Sequence, residues 1–264
     1  GYKAFYRHDV GYPSNEFFKK LDGKLEHLVQ DKLAAPVKNV GEVAGYLTDE
    51  MADAVGLIQG TPIGVGIVDA HASVVGSGIN KPGTMMIIVG TSSCHMILSE
   101  TEAGICGVPG IVKDGIIPGY FGYEAGQSCV GDCFSWFVQN YIPESYEKEA
   151  REKNIAIYQL LDEKLTGYKV GQSGLIALDW FNGVRTPLMD YNLSGMILGM
   201  NLLTKPEEIY LSLIEATAYG TRSIIETFEE AGVVVDSIVL SGGIPHKNKR
   251  LVQVYADVCN REIR

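Results

Sequence analysis

Gly66-Ile67-Val68-Asp69-Ala70-His71-Ala72, followed further on by Val89-Gly90-Thr91-Ser92-Ser93-Cys94-His95-Met96, decides how this chain is read. One apolar run closes on a single carboxylate. A second closes on a turn of glycine and hydroxyl residues. An α/β fold that holds a general base and a phosphate-cradling turn in one molecule needs such a pair. Each half also has an ordinary reading, because Asp69 can cap the segment after it and Gly-Thr-Ser-Ser makes common hairpin turns. Taken together they meet the demands of phosphoryl transfer to an alcohol. A carboxylate takes the hydroxyl proton, and exposed N–H groups beside small side chains receive the charged phosphoryl group.

Working outward, residues 15–33 place Phe17, Phe18, Leu21, Leu25, Leu28 and Val29 at helical spacing, which predicts one amphipathic helix across Gly23. Thr48 is an N-cap for Asp49 to Val55, with Gly56 as the stop. Ile63 to Val68 reads as the strand that delivers Asp69, and Ala70 to Gly78 as a short helix. Lys81-Pro82-Gly83 marks a domain boundary, since the composition turns to short β runs after it. Those runs are Thr84–Val89, Cys94–Ser99 and a hairpin of Ile111–Val112 with Ile116–Tyr120 around Asp114-Gly115. Helices are predicted over Gly131–Tyr141 and, as one surface element, over Pro143–Leu165, with a strand at Leu175–Trp180. Thr204-Lys205-Pro206-Glu207 reads as a capping box that opens a long core helix running to Gly232. Ile238–Leu240 is a strand, Ser241-Gly242-Gly243 a turn, and Lys249–Val258 a last helix.

A 264-residue chain with 46% apolar content is long enough for one or two ordinary cores. The net charge of −10 and the lack of a long Lys/Arg block argue against a nucleic-acid partner. No apolar run reaches the ~20 residues of a membrane span, and Gly1-Tyr2-Lys3 opens no secretory pattern. Five cysteines without a CxxC pair fit a reducing cytoplasm, with Cys129 and Cys133 read as buried small hydrophobes. No metal-ligand set is read from the sequence, and a homo-oligomer is compatible with it. The chain starts without Met and stops where a strand is due, so it reads as an internal piece of a longer protein.

Ser241-Gly242-Gly243-Ile244 has the same character as the first turn: glycines after an apolar strand, leading into a helix, where α/β folds bind nucleotides. It is equally readable as a plain turn. Glu124 stands among small and aromatic residues, where a buried acid needs a partner, either a sugar hydroxyl or a structural hydrogen bond. Lys3 reads as an exposed lysine, and His71 and His95 as satisfied structural histidines.

These residues converge on a resemblance. The run Gly64 to Met96, the segment Gly119-Tyr120-Phe121-Gly122-Tyr123-Glu124-Ala125-Gly126-Gln127-Ser128 with Gly131-Asp132 and Trp136-Phe137, and Asp179-Trp180-Phe181-Asn182-Gly183-Val184-Arg185-Thr186-Pro187 resemble the FGGY carbohydrate kinases. Gly195 to Met200 through Glu208-Ile209 and Ser212 to Glu215 is similar to the C-terminal signature of that family, with Leu213 as a mild departure. The resemblance implies an actin-like ATPase fold of RNase H-like domains. Residues 1–82 would be the C-terminal part of a first, sugar-binding domain, and 83–264 most of a second, nucleotide-binding domain. It implies ATP and Mg²⁺ as cofactors and a ketopentose as substrate, L-ribulose ahead of D-ribulose or another pentulose or pentitol. A noncatalytic actin-like sugar-binding protein is the competing reading.

By the same resemblance Asp69 is the catalytic base and also touches the sugar, with Lys3 and Glu124 facing the sugar hydroxyls. Gly90, Thr91 and Ser92 form a phosphate loop, and Ser241, Gly242, Gly243 and Asn248 an ATP-binding segment. The family's opening Asp-x-Gly-Thr strand and turn has no counterpart here, which implies that this piece alone has little or no turnover.

Overall fold

The computed structural model describes residue 3, residues 5–108 and residues 110–264. These fall into two compact units. The first comprises 1–82, 98–102 and 110–123, and the second 83–97, 103–109 and 124–264. The chain thus first passes from one unit to the other at Pro82/Gly83, then returns twice to the first.

In the first unit, helix α1 (Asn15–Leu21) and helix α2 (Leu28–Lys32) replace the single helix expected over 15–33. Asp22 is extended (φ −158°, ψ 132°), and its carboxylate accepts from Lys24 N, so a short 3₁₀ turn, Gly23–Leu25, separates the helices. None of the three pieces buries a side chain fully. Strand β1 (Val43–Tyr46) pairs antiparallel with β2 (Pro62–Gly64). Between them α3 (Asp49–Val55) begins where Thr48 Oγ1 accepts from Met51 N and ends on Gly56 in the left-handed region at φ +70°. The predicted strand Ile63–Val68 is therefore shorter. Its ladder ends at Gly64, and Val65 to Val68 runs on toward helix α4 (Asp69–Gly76) without strand pairing.

The second unit is built on β3 (Gly83–Val89), the opening of β4 (Ser93–Ser99), the end of β6 (Phe121–Gln127), β9 (Val235–Ser241) and β10 (Glu262–Ile263). With β5 (Gly110–Lys113) the hydrogen-bonded order is β10-β9-β3-β4-β6-β5. β3 and β4 are antiparallel, whereas β9 runs parallel to β3, with Ile87 opposite Leu240 and Ile88 opposite Ser241. Helix α5 (Gly131–Tyr141) follows β6. Pro143–Leu165, predicted as one helix, is two: α6 (Glu144–Lys153) and α7 (Ile157–Lys164), broken at Asn154 in the left-handed conformation (φ 52°). β7 (Ile176–Leu178) and β8 (Met196–Leu198) form a separate ribbon.

Helix α8 (Pro206–Glu230) is the core of this unit, burying Tyr210, Leu211, Leu213, Ile214, Ile224, Ile225 and Phe228. Its start differs from the expected box. Lys205 takes the cap position, its N–H donating to Glu208 Oε2 at 2.8 Å, so the reciprocating acid is Glu208. Helices α9 (Gly243–Lys247) and α10 (Lys249–Cys259) complete the unit.

The hairpin also differs from its expected register. Its second strand starts at Phe121, and Ile116–Tyr120, read as strand, is the loop. Ile116 is fully buried because its side chain packs over the bare backbone of Gly122, where a Cβ would come within 2.6 Å of it. An apolar run that plugs a loop looks the same in sequence as one that pairs.

Candidate functional site

The predicted site residues fall on both units. In the first unit Asp69 is the first residue of α4, exposed, with its Oδ1 accepting from Ala70 N at 2.7 Å. The irregular approach Val65–Val68, whose Val65 N donates to Glu42 O at 3.0 Å, brings the chain to this point, and the carboxylate at the helix start is exposed, where a ligand can reach it. Val65 to Val68 and the buried His71 line a cavity of about 100 Å³ together with Tyr6, His8 and Lys113. Lys3 is exposed.

In the second unit both glycine turns lie at one end of the sheet. Because β3 and β9 are parallel and Ile88 pairs with Ser241, the chain leaves both strands side by side, into Gly90–Ser93 and into Ser241–Gly243. That is where parallel α/β sheets hold ligands, at the carboxyl ends of adjacent strands. Three close approaches fix the arrangement. A Cβ on Gly242 (φ +117°) would lie 2.2 Å from Val89 O, so only glycine lets the second turn seat on the end of β3. A Cβ on Gly131 would lie 2.5 Å from Gly90 O, the oxygen that instead accepts from Gly131 N at 2.9 Å. Thr91 O accepts from Val130 N at 2.9 Å and Asp132 N at 3.2 Å, so the start of α5 holds the first turn by its carbonyls. Gly90 and Thr91 stay exposed, and Ser92 is half-buried. Asn248 caps α10, its Oδ1 accepting from Leu251 N at 2.9 Å while its Nδ2 donates to Tyr210 Oη at 3.0 Å.

Glu124, the middle residue of β6, is buried, and its Oε1 accepts from Arg185 Nη2 at 3.0 Å. Burial alone pushes the Arg185 guanidinium down, but the hydrogen bond to Glu124 holds it above its ordinary range. The structure thus gives Glu124 the structural partner that the sequence offered as one of its two readings.

Sequence reasoning quoted Gln127 and Asp179 within motifs and gave them no role, yet they organise a buried polar group. Gln127 Nε2 donates to Asp179 Oδ2 at 2.7 Å and to Thr217 O at 2.8 Å, while its Oε1 accepts from Ser93 Oγ and from Thr221 Oγ1, both at 2.9 Å. Burial pushes the Asp179 carboxyl up to about 6, against the opposing hydrogen bond from Gln127. A Cβ on Gly220 would meet Gln127 Nε2 at 2.5 Å and Asp179 Oδ2 at 2.7 Å, so this helical glycine makes room for the pair. His95 Nε2 lies 3.2 Å from Thr221 Oγ1, and burial, with the charge of Arg185, pushes its pKa down to about 3. Asp179 and Gln127 also border a cavity of about 230 Å³ reached by Tyr219 and Arg185. The sequence signal for the group is faint, a lone Gln and a lone Asp in separate small-residue motifs.

A parallel pair of strands ending in two glycine turns, one held by a helix start, is an α/β arrangement in which phosphate groups can be received. The profile of the FGGY family of carbohydrate kinases, C-terminal domain, matches residues 85–264, and the chain belongs to that family. It is 54% identical over its whole length to a ribulokinase of Bacillus licheniformis and 53% identical to one of Geobacillus thermodenitrificans, covering 48% and 47% of them. The chain therefore spans about half the length of the curated relatives it matches. Among solved structures it superimposes on a xylulose kinase from Rhodospirillum rubrum with a TM-score of 0.73 at 24% identity, over 86% of this chain and 44% of that one. Plasmodium falciparum glycerol kinase with ADP gives 0.68 at 20% identity, over 86% of this chain and 43% of that one. The fold is the actin-like α/β architecture of these sugar kinases.

Proposed function

We propose that the full-length protein transfers the γ-phosphoryl group of ATP to the primary hydroxyl of a ketopentose, L-ribulose first among them, and that it does so in the cytoplasm. What supports this most is the identity of half or more, along the entire chain, with proteins named ribulokinase. In this reading residues 1–82 belong to a sugar-binding domain and 83–264 to a nucleotide-binding one. The chain's second and third visits to the first unit (98–102 and 110–123) belong with the former in compactness.

Each residue named by the family resemblance has a step in this reading. Asp69, exposed at its helix start, accepts the proton of the primary hydroxyl as that oxygen attacks the γ-phosphorus, and the bond from phosphorus to the leaving ADP oxygen breaks. Gly90, Thr91 and Ser92 receive phosphate oxygens, and Ser241, Gly242, Gly243 and Asn248 take the adenosine side. Lys3 and Glu124 hold sugar hydroxyls, Glu124 with the carboxylate oriented by Arg185. Mg²⁺ accompanies ATP in such transfers, neutralising charge on the phosphates. Among the described residues no three His, Cys, Asp or Glu side chains gather into a metal cluster, so no residue of this chain is assigned to the ion and no step is routed through it. Among the described residues no helix is long and apolar enough to cross a membrane.

The test offers the full-length protein a panel of pentuloses and pentitols and follows ADP formation. The highest kcat/KM is expected with L-ribulose. ADP formation with none of the pentuloses would refute the reading, and nucleotide-independent sugar binding alone would favour a noncatalytic sugar-binding protein.

A further inference from the structure

We propose that Gln127 is a positioning residue for the phosphate turn, acting through Ser93, with Asp179 fixing its amide. The inference rests on the nucleotide reading of the Gly90–Ser93 turn and adds to it the residue that sets the turn's outgoing end. Ser93 is the last residue of the turn and the first of β4, and it is held on two sides by β6. A Cβ on Gly126 would lie 2.4 Å from Ser93 O, so the bare backbone of Gly126 sits directly against that carbonyl. The Ser93 hydroxyl donates to Gln127 Oε1 at 2.9 Å.

The amide itself has no rotational choice. Its nitrogen faces two acceptors, Asp179 Oδ2 and Thr217 O, and its oxygen faces two hydroxyls, so all four of its hydrogen-bonding positions are filled in one orientation. Reversing it would set its oxygen against a carboxylate. Because Thr221 Oγ1 donates its proton to Gln127, the neighbouring His95 Nε2 is the donor to Thr221, which extends the chain of fixed donors one residue further. Gln127, Ser93, Thr217 and Thr221 are all buried. The opposite end of the turn is fixed independently, by Gly131 and Gly242. With both ends set, and with Gly90 N donating across the turn to Ser92 O at 2.9 Å, the exposed Thr91 is presented in one geometry. A preorganised N–H cradle binds phosphate without the entropic cost of ordering itself.

The experiment measures ADP affinity by calorimetry and the KM of each substrate in the full-length protein for Ser93→Ala and Gly90→Val. Ser93→Ala removes the tie and leaves Gln127 bonded to Thr221, Asp179 and Thr217, whereas Gln127→Ala would strip all of these partners and test folding rather than position. The expected result for Ser93→Ala is a loss of ADP affinity of about five- to tenfold, the weight of one neutral hydrogen bond, with a matching rise in KM for ATP and no change in KM for the pentulose. A role confined to stability would lower the active fraction and leave both KM values where they are. Unchanged ADP affinity in Ser93→Ala beside a large loss in Gly90→Val overturns the positioning role alone. Unchanged affinity in Gly90→Val overturns the nucleotide reading of the turn, and the inference with it.

Discussion

Replacing Asp179 by asparagine tests the energetics of the buried polar group. The Asp179 carboxyl is pushed from 3.8 up to about 6 because burial penalises its ionised form. A folded-state pKa above the unfolded one means the folded protein holds its proton more tightly. Its contribution to stability is then fully present below pH 3.8 and is lost as pH rises through about 6. At neutral pH the loss is about 3 kcal/mol, since the carboxyl moves from 3.8 to about 6 and each tenfold change in proton affinity is worth about 1.36 kcal/mol. About half of it is already lost at pH 5, so about 1.4 kcal/mol of pH dependence falls between about pH 5 and about pH 7.5. The carboxamide introduced by Asp179→Asn accepts from Gln127 Nε2 with its oxygen and carries no charge to desolvate. Part of the gain is offset by the weaker, uncharged hydrogen bond, leaving about 1–2 kcal/mol of added stability at neutral pH. Urea unfolding of the full-length wild type and of Asp179→Asn across this range measures both the offset and the difference in slope. A variant that is less stable at neutral pH and keeps the wild-type pH slope would refute the reasoning.

Gly242→Ala should weaken ADP binding by more than about tenfold, since φ +117° and a Cβ 2.2 Å from Val89 O force the two turns apart; calorimetry checks it, and unchanged affinity would show the turns to be independent. Arg185→Met takes the guanidinium away from the buried Glu124, and about 2–3 kcal/mol of stability should go, read as a lower unfolding midpoint. Adding Glu124→Gln to Arg185→Met should restore part of that stability, and a double variant no better than the single one would count against the pair.

Elements with a local stop were legible in the sequence. Helix α3 follows from Thr48 and Gly56, and α5 begins at Gly131 as its spacing predicts. Helix α8 was legible through its apolar periodicity, although Lys205 and Glu208 close the box one residue later than expected. Breaks were not, because they turn on single residues in unhelical conformations. Asp22 is an ordinary polar residue until its carboxylate captures Lys24 N, and Asn154 is an ordinary surface residue until it turns left-handed. Ile116 was misread because a side chain covering Gly122 and a side chain in a ladder are both simply apolar. The glycine turns were visible as motifs, but their adjacency needed the parallel pairing of β9 with β3, which brings residues far apart in sequence to one sheet end. Gln127 and Asp179 had no local pattern at all. Their partners come from β4, α8 and the segment after β7, and only the folded chain brings them together.

Phosphoryl transfer in this reading stands on Asp69 as the acceptor of the sugar's proton, and Asp69→Asn in the full-length protein tests it most directly. ADP affinity should stay at the wild-type value, while phosphorylation of L-ribulose falls by about 10²–10⁴-fold, the range of a lost general base. Wild-type turnover in that variant would contradict the assignment.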